Sequence, residues 1–205
     1  MNKNIFNLLF VYFFLSSIAN VVAAEIMAPF GLEWGQTQKQ LNNKNIDLTD
    51  CSTIKKVTSC TTTNPTKSVS FGELYLLFID EEKGLQKIKM LGKDIVSDVS
   101  GLEGKALYSK VKKSLIKKYD KAKEYEYIGL TVYKEYDEFY QCLKYDGCGS
   151  WYAFWEGESG GTIGLQLKGL SRGKGYLSLT YESKEWGTII DSLQQREDKS
   201  DNDAL

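Results

Sequence analysis

The 205-residue chain contains no histidine. That absence removes the side chain most used to move protons near neutral pH and the commonest nitrogen ligand of zinc. Arginine is nearly as scarce. Of 26 basic residues only Arg172 and Arg196 carry the guanidinium fork that reads phosphate and carboxylate bidentately. The formal net charge is −1, so no global field gathers nucleic acid or anionic lipid, and a nucleic-acid role is not expected. Beyond residue 24 no apolar run approaches the roughly 20 residues of a membrane-spanning helix.

What is present begins with a leader. Lys3 precedes an apolar core from Ile5 to Ile18, and Val22-Ala23-Ala24 places small residues where a signal peptidase reads them. Residues 1–24 therefore read as a secretory signal peptide, with Asn7, Ser16, Ser17 and Asn20 favouring cleavage over anchoring. Cleavage exposes Glu25, not a cysteine, so there is no acceptor for N-terminal lipid and no membrane span remains. The remaining chain is long enough for one domain that buries roughly 70% of its surface without a metal.

All four cysteines, Cys51, Cys60, Cys142 and Cys148, lie after the leader, and an even count in an oxidising compartment reads as two disulfides. Of the three pairings, the local ones are favoured: Cys51–Cys60 and Cys142–Cys148 each need a single turn. Each closed loop is worth about 2–3 kcal/mol. A zinc cluster would need tighter spacing or histidines, and no metal or other cofactor is implied.

Periodicity outlines the elements. Thr37 caps a short helix to about Asn43, and Asp47 to Thr63 reads as a Thr-rich hairpin with a cysteine near each end. Phe71 to Asp80 is apolar on both faces, as in a covered central strand, and Lys87-Ile88-Lys89-Met90 alternates as its partner. Leu107, Val111, Leu115 and Tyr119 recur every four residues beside Tyr108 and Ile116, which defines the best helix of the chain. The lysines opposite, Lys110, Lys112, Lys113, Lys117 and Lys118, read as its solvated face.

A short helix or turn around Glu135 to Leu143 comes next. It is followed by strands at Trp151 to Trp155, Thr162 to Lys168 and Tyr176 to Tyr181, joined by Gly-rich turns. Ser183 caps a last helix carrying Trp186, Ile189, Ile190 and Leu193, and 196–205 reads as a charged, disordered tail. The expectation is one α+β domain over 25–195, antiparallel sheet with a few packed helices, with 25–99 and 100–195 as candidate similar halves.

Several motifs invite catalytic readings that their context denies. Gly157 to Gly161 and Gly169 to Gly173 both match Gly-x-Ser-x-Gly, but each joins strand to strand, and there is no histidine base. Ser52-Thr53-Ile54-Lys55 and Ser114-Leu115-Ile116-Lys117 match Ser-x-x-Lys without its companion elements. No catalytic residue is assigned. Glu156 and Glu158 follow the aromatic run Trp151, Tyr152, Phe154 and Trp155, and carboxylates beside aromatics suit a glycan cleft.

The thirteen tyrosines are more suggestive, since Tyr125, Tyr127, Tyr133, Tyr136, Tyr140 and Tyr145 crowd one short stretch. Tyrosine offers large, rigid contact area at small entropic cost. Tyr125, Tyr127, Tyr133, Tyr136, Tyr140, Trp151, Trp155, Glu156 and Glu158 are therefore the candidate interface.

At the start of the exported part, Phe30-Gly31-Leu32-Glu33-Trp34-Gly35-Gln36-Thr37, followed by Gln40-Leu41, resembles the opening of bacterial periplasmic proteins that begin Phe-Gly-Leu-x-Trp-Gly-x-Thr. The Trp-Gly-then-helix order also looks like the helix-plus-hairpin modules of β-lactamase inhibitory protein and the outer-membrane assembly lipoproteins. The resemblance implies a bacterial periplasmic α+β protein with a binding or inhibitory role. The missing acylated cysteine departs from the lipoprotein members. Trp34 and the glycines read as structural.

The functional expectation is an exported, non-enzymatic binding protein of the bacterial envelope, an inhibitor or immunity-type partner of another envelope or secreted protein. A glycan-binding or glycan-cleaving protein using Glu156 and Glu158 is the alternative, and an envelope-assembly accessory the third.

Overall fold

In the computed structural model residues 25–204 are described; the leader lies outside them. Their architecture is α+β: one eight-stranded antiparallel sheet with four helices. The elements run α1 (Gln38–Asn43), β1 (Thr49–Ile54), β2 (Val57–Thr62), β3 (Gly72–Asp80), β4 (Gly84–Gly92) and α2 (Leu102–Tyr119). They continue with β5 (Lys123–Tyr127), α3 (Phe139–Lys144), β6 (Ser150–Glu156), β7 (Thr162–Ser171), β8 (Lys174–Glu182) and α4 (Trp186–Ala204). The spatial order is β1-β2-β3-β4-β8-β7-β6-β5. Chain order therefore runs inward from both edges, and the two sets of strands join where Lys87 to Leu91 pairs with Glu182 to Ser178.

Local chemistry accounts for most boundaries. The hydroxyl of Thr37 accepts from the backbone of Gln40 while Gln40 answers the backbone of Thr37, a reciprocal cap that starts α1. Ser183 accepts from the backbone N–H of Glu185 at the head of α4. That helix runs on through Ala204, where composition suggested a disordered tail. Its outer turns carry Gln194–Asp198 and Arg196–Ser192 bonds four residues apart, and Glu197 pairs with Lys55.

Strand β5 lies outside the expected strands: Glu124-Tyr125-Glu126-Tyr127 alternates, but none of its residues is buried, so the alternation marks no core face. What holds it, besides β6, is Lys112 of α2, whose ammonium reaches Glu124 at 2.7 Å and also binds Glu126. One lysine of the supposed solvated face is thus an internal tie.

The core lies between the sheet and helices α1 to α3. Tyr75, Leu77 and Ile79 of β3, Ile88 and Met90 of β4, Leu177, Leu179 and Tyr181 of β8 and Ile163, Leu165 and Leu167 of β7 face this layer. Leu41 of α1, Tyr108, Val111, Leu115 and Tyr119 of α2, and Phe139 and Tyr140 of α3 close it. Among the described residues the opposite face meets only α4, whose Trp186 and Ile189 form a separate small cluster with Val57, Phe78 and Leu193.

Two interactions lock the layers, and each supports a test. The phrase 30–37 is fastened to β4, the Gly35 N–H donating to the Leu85 carbonyl and the Leu85 N–H to the Gln36 carbonyl, while the Trp34 indole N–H donates to the Ile26 carbonyl at 2.8 Å. Gly84 sits at φ +69°, where a Cβ would lie 2.2 Å from the Gly35 carbonyl oxygen. Gly84→Ala combines a left-handed backbone with a backbone clash and is expected to cost about 2–4 kcal/mol, read from urea unfolding. An unchanged midpoint would show that the phrase is not held this way.

The second lock is Asp98, 6% exposed, which accepts from the Gly104 N–H at 3.0 Å and the Tyr140 hydroxyl at 2.8 Å, joining the first turn of α2 to α3. Burial opposes its ionisation, but these donors and the backbone of Glu103 and Leu102 outweigh burial and hold its carboxyl below the usual aspartate range. A depressed folded pKa gives stability that is complete above about pH 4 and fades as pH falls through the folded value. Asp98→Asn should lose about 1–3 kcal/mol near neutrality. It should also lose less than the parent on acidification from roughly pH 5 to pH 2; equal acid sensitivity would rule the carboxylate out as the anchor.

Candidate functional site: the open face of the sheet

Because side chains alternate along each strand, the same register that buries one set presents the other on the uncovered face. From β2 to β5 that face carries Ser59 and Thr61, Leu74 and Leu76, Lys89 and Leu91, Tyr176 and Ser178, Gln166 and Lys168, Tyr152 and Phe154, then Tyr125 and Tyr127. Helix α4 closes the end near Phe78 and leaves the rest open.

The β5–β6 side is aromatic. Tyr125 stacks on Tyr152 with ring centroids 6.3 Å apart, Tyr152 stacks on Phe154 at 6.3 Å, and the Lys123 ammonium lies over Phe154. Glycine at 164 gives this row room, since a Cβ there would stand 3.0 Å from the Tyr152 hydroxyl and 3.2 Å from its ring, so the ring would have to shift by a few tenths of an ångström. Burial, then the charge of Glu182 and the neighbouring Tyr125, raises the Tyr152 phenol above the usual tyrosine range, so it stays a neutral donor.

Three depressions mark the face and its lower rim. The central one, about 220 Å³, lies over β4, β8, β7 and β6, with Lys89 and Lys168 among hydroxyls and the Tyr152 and Phe154 rings. A second, about 470 Å³, has an apolar floor of Leu74, Leu91, Leu170 and Tyr176 with Glu73 and Asp94 on its rim. The third, about 380 Å³, is framed by Tyr133, Tyr145 and Arg172. Leu170, at the tip of the β7–β8 hairpin, lines both of the last two and makes the open face continuous with the Tyr-rich loop.

The candidate interface residues divide. Tyr125 and Tyr127 lie on the open face, and Tyr133 and Tyr136 are exposed on the loop between β5 and α3. Tyr133 packs edge-on against Tyr145. That loop is tied down through the second disulfide: the Leu130 N–H donates to the Cys148 carbonyl and the Gly129 N–H to the Cys142 sulfur. Both local cysteine pairings are present, Cys51–Cys60 and Cys142–Cys148.

Tyr140 and Trp155 are corrections. Both are buried, Tyr140 under α3 bonded to Asp98 and Trp155 on the covered face with its indole N–H on the Asp120 carbonyl. Trp151 shares that covered face, packed edge-on against Phe139 and Tyr108 with Lys105 above it. Because β6 is aromatic on both faces, its own sequence does not say which face is covered, and the tryptophans fall on the covered one. Glu156 is exposed and paired with Lys123, Glu158 sits in the β6–β7 turn, and neither lines the central depression. The residues that sequence reasoning missed are Tyr152, Phe154, Lys89, Lys168 and the β8 hydroxyls; their signal was the alternation itself.

No family model matches the chain, and neither a curated protein nor a solved structure matches it. Among the described residues no group of histidine, cysteine, aspartate or glutamate is arranged to hold a metal, and no helix is long and apolar enough to cross a membrane. Two disulfides fit a chain that matures outside the cytoplasm.

Proposed function

We propose that this chain is an exported, non-enzymatic binding protein of the bacterial envelope, of the inhibitor or immunity type, which grips another envelope or secreted protein with the open face of its sheet. The observation that carries the reading is sidedness. Three helices cover one face, while the other keeps stacked tyrosines, an apolar hollow and an aromatic loop at one rim. Rigid aromatic platforms on a fixed sheet lose little entropy on contact, which favours recognition. The leader and the likeness of residues 30–41 to periplasmic openings support the same setting.

Glycan chemistry through Glu156 and Glu158 is less well supported, because its tryptophans lie on the covered face and Glu156 is engaged by Lys123. Photo-crosslinking in the native cell tests the docking reading. A benzophenone side chain at Phe154 should give a discrete adduct with one envelope protein, whereas one at Lys117, on the exposed side of α2, should not. Equal labelling from both positions, or none from Phe154, would remove it.

A further inference from the structure

At the centre of the open face, Lys89 of β4 and Lys168 of β7 flank β8 and line the same depression. Neither has an acidic partner among the described residues. The one carboxylate beside them, Glu182, is already bound by the Lys87 ammonium at 2.8 Å and by the Thr162 hydroxyl at 2.9 Å. Burial, with the like charges of Lys168 and Lys87, pulls the Lys89 ammonium below the usual lysine range. On β8 between the two lysines Ser178 is 4% exposed, and no described residue hydrogen-bonds its hydroxyl. Thr180 and Gln166 add further donors.

The depression thus gathers like charge and hydrogen-bond donors in a partly desolvated place whose one lining carboxylate, Glu182, is already engaged by Lys87 and Thr162. A solvated surface does not require such an arrangement; an anion on a partner satisfies it, because charge-assisted bonds strengthen as water is excluded. We infer that the trough between Lys89 and Lys168 is a subsite for a carboxylate, an aspartate or glutamate side chain that the partner protein places at the centre of the contact. The two ammonium groups and the Ser178 hydroxyl donate to its oxygens, and the Tyr152 and Phe154 rings shield one flank. This rests on the docking reading and adds the chemistry of the partner's central residue.

The probe is the peptide acetyl-Gly-Glu-Gly-amide, titrated into the ¹⁵N-labelled exported chain with both disulfides intact, with Lys89, Ser178 and Thr180 amide shifts as the readout. Saturable shifts are expected. They should vanish with the glutamine peptide and shrink as salt rises. Binding should be about tenfold or more weaker in the Lys89→Met/Lys168→Met double variant and retained in Lys89→Arg. Thermal melts confirm that each variant is folded.

No saturable shift from the glutamate peptide, or equal shifts from the glutamine peptide, overturns the inference. Inorganic phosphate binding as tightly as the glutamate peptide also overturns it, since the trough would then take any oxyanion. Crosslinks from Phe154 without peptide binding leave docking in place and sink only the subsite. Peptide binding without crosslinks means a free carboxylate ligand, and the inference as stated falls with the docking reading.

Discussion

Replacing Trp155 by alanine is expected to lower the unfolding free energy by about 3–5 kcal/mol, the largest stability effect of any single truncation considered for this chain. The indole is 2% exposed, lies in the main core and donates its N–H to the Asp120 carbonyl at 3.0 Å. Truncation therefore leaves a cavity and strands the carbonyl at the end of α2, and both effects point the same way. For a domain of this size, melting should fall by roughly 10 °C or more. Calorimetry and urea unfolding provide the measurement. A loss under about 1 kcal/mol would mean that the covered face of β6 is not core, and the assignment of the two faces would have to be reversed.

Three residues earlier on the same strand the expectation inverts. Tyr152→Ala should leave the melting temperature within a few degrees of the parent. It should weaken binding to the partner identified by crosslinking by about 30-fold to 1000-fold, the range of a hot-spot aromatic. Tyr152 is the middle ring of the row Tyr125–Tyr152–Phe154, so its removal unstacks both neighbours and opens the aromatic flank of the central trough. The measurement is calorimetric titration of purified partner into each variant, with Trp155 retained throughout. A partner that binds Tyr152→Ala as tightly as the parent does not sit on this face.

The open face differs chemically from the helix-covered side, and that difference shapes what it can hold. Its middle is basic, with Lys89 and Lys168 unneutralised, while the rim hollow has an apolar floor under Glu73 and Asp94. A complementary surface would present acid at its centre and an apolar group flanked by base toward Leu170. Such a mosaic discriminates between partners better than a uniform patch, because a misplaced charge is penalised at either location. At the other end α4 covers Phe78 and Val57, and Lys87 lies over the rings of Phe78 and Trp186, so the open face ends there.

Much of this was decided by residue order alone. The capped helix at Thr37, the four-residue recurrence of α2, the alternating strands and both local cysteine pairs are short-range features, fixed by backbone periodicity and by loops that one turn can close. Only the assembled sheet determined which side of each strand was covered. Trp151, Trp155 and Tyr140 went inward, and Tyr152, Phe154 and Lys89 stayed outward, because α1 to α3 pack on one face while α4 covers only the Phe78 end of the other. Alternation states that two faces differ, but burial depends on contacts between residues far apart in the chain. Strand β5 needed Lys112 to hold its glutamates and β6 to pair its backbone, and neither partner is legible within Lys123 to Tyr127 itself.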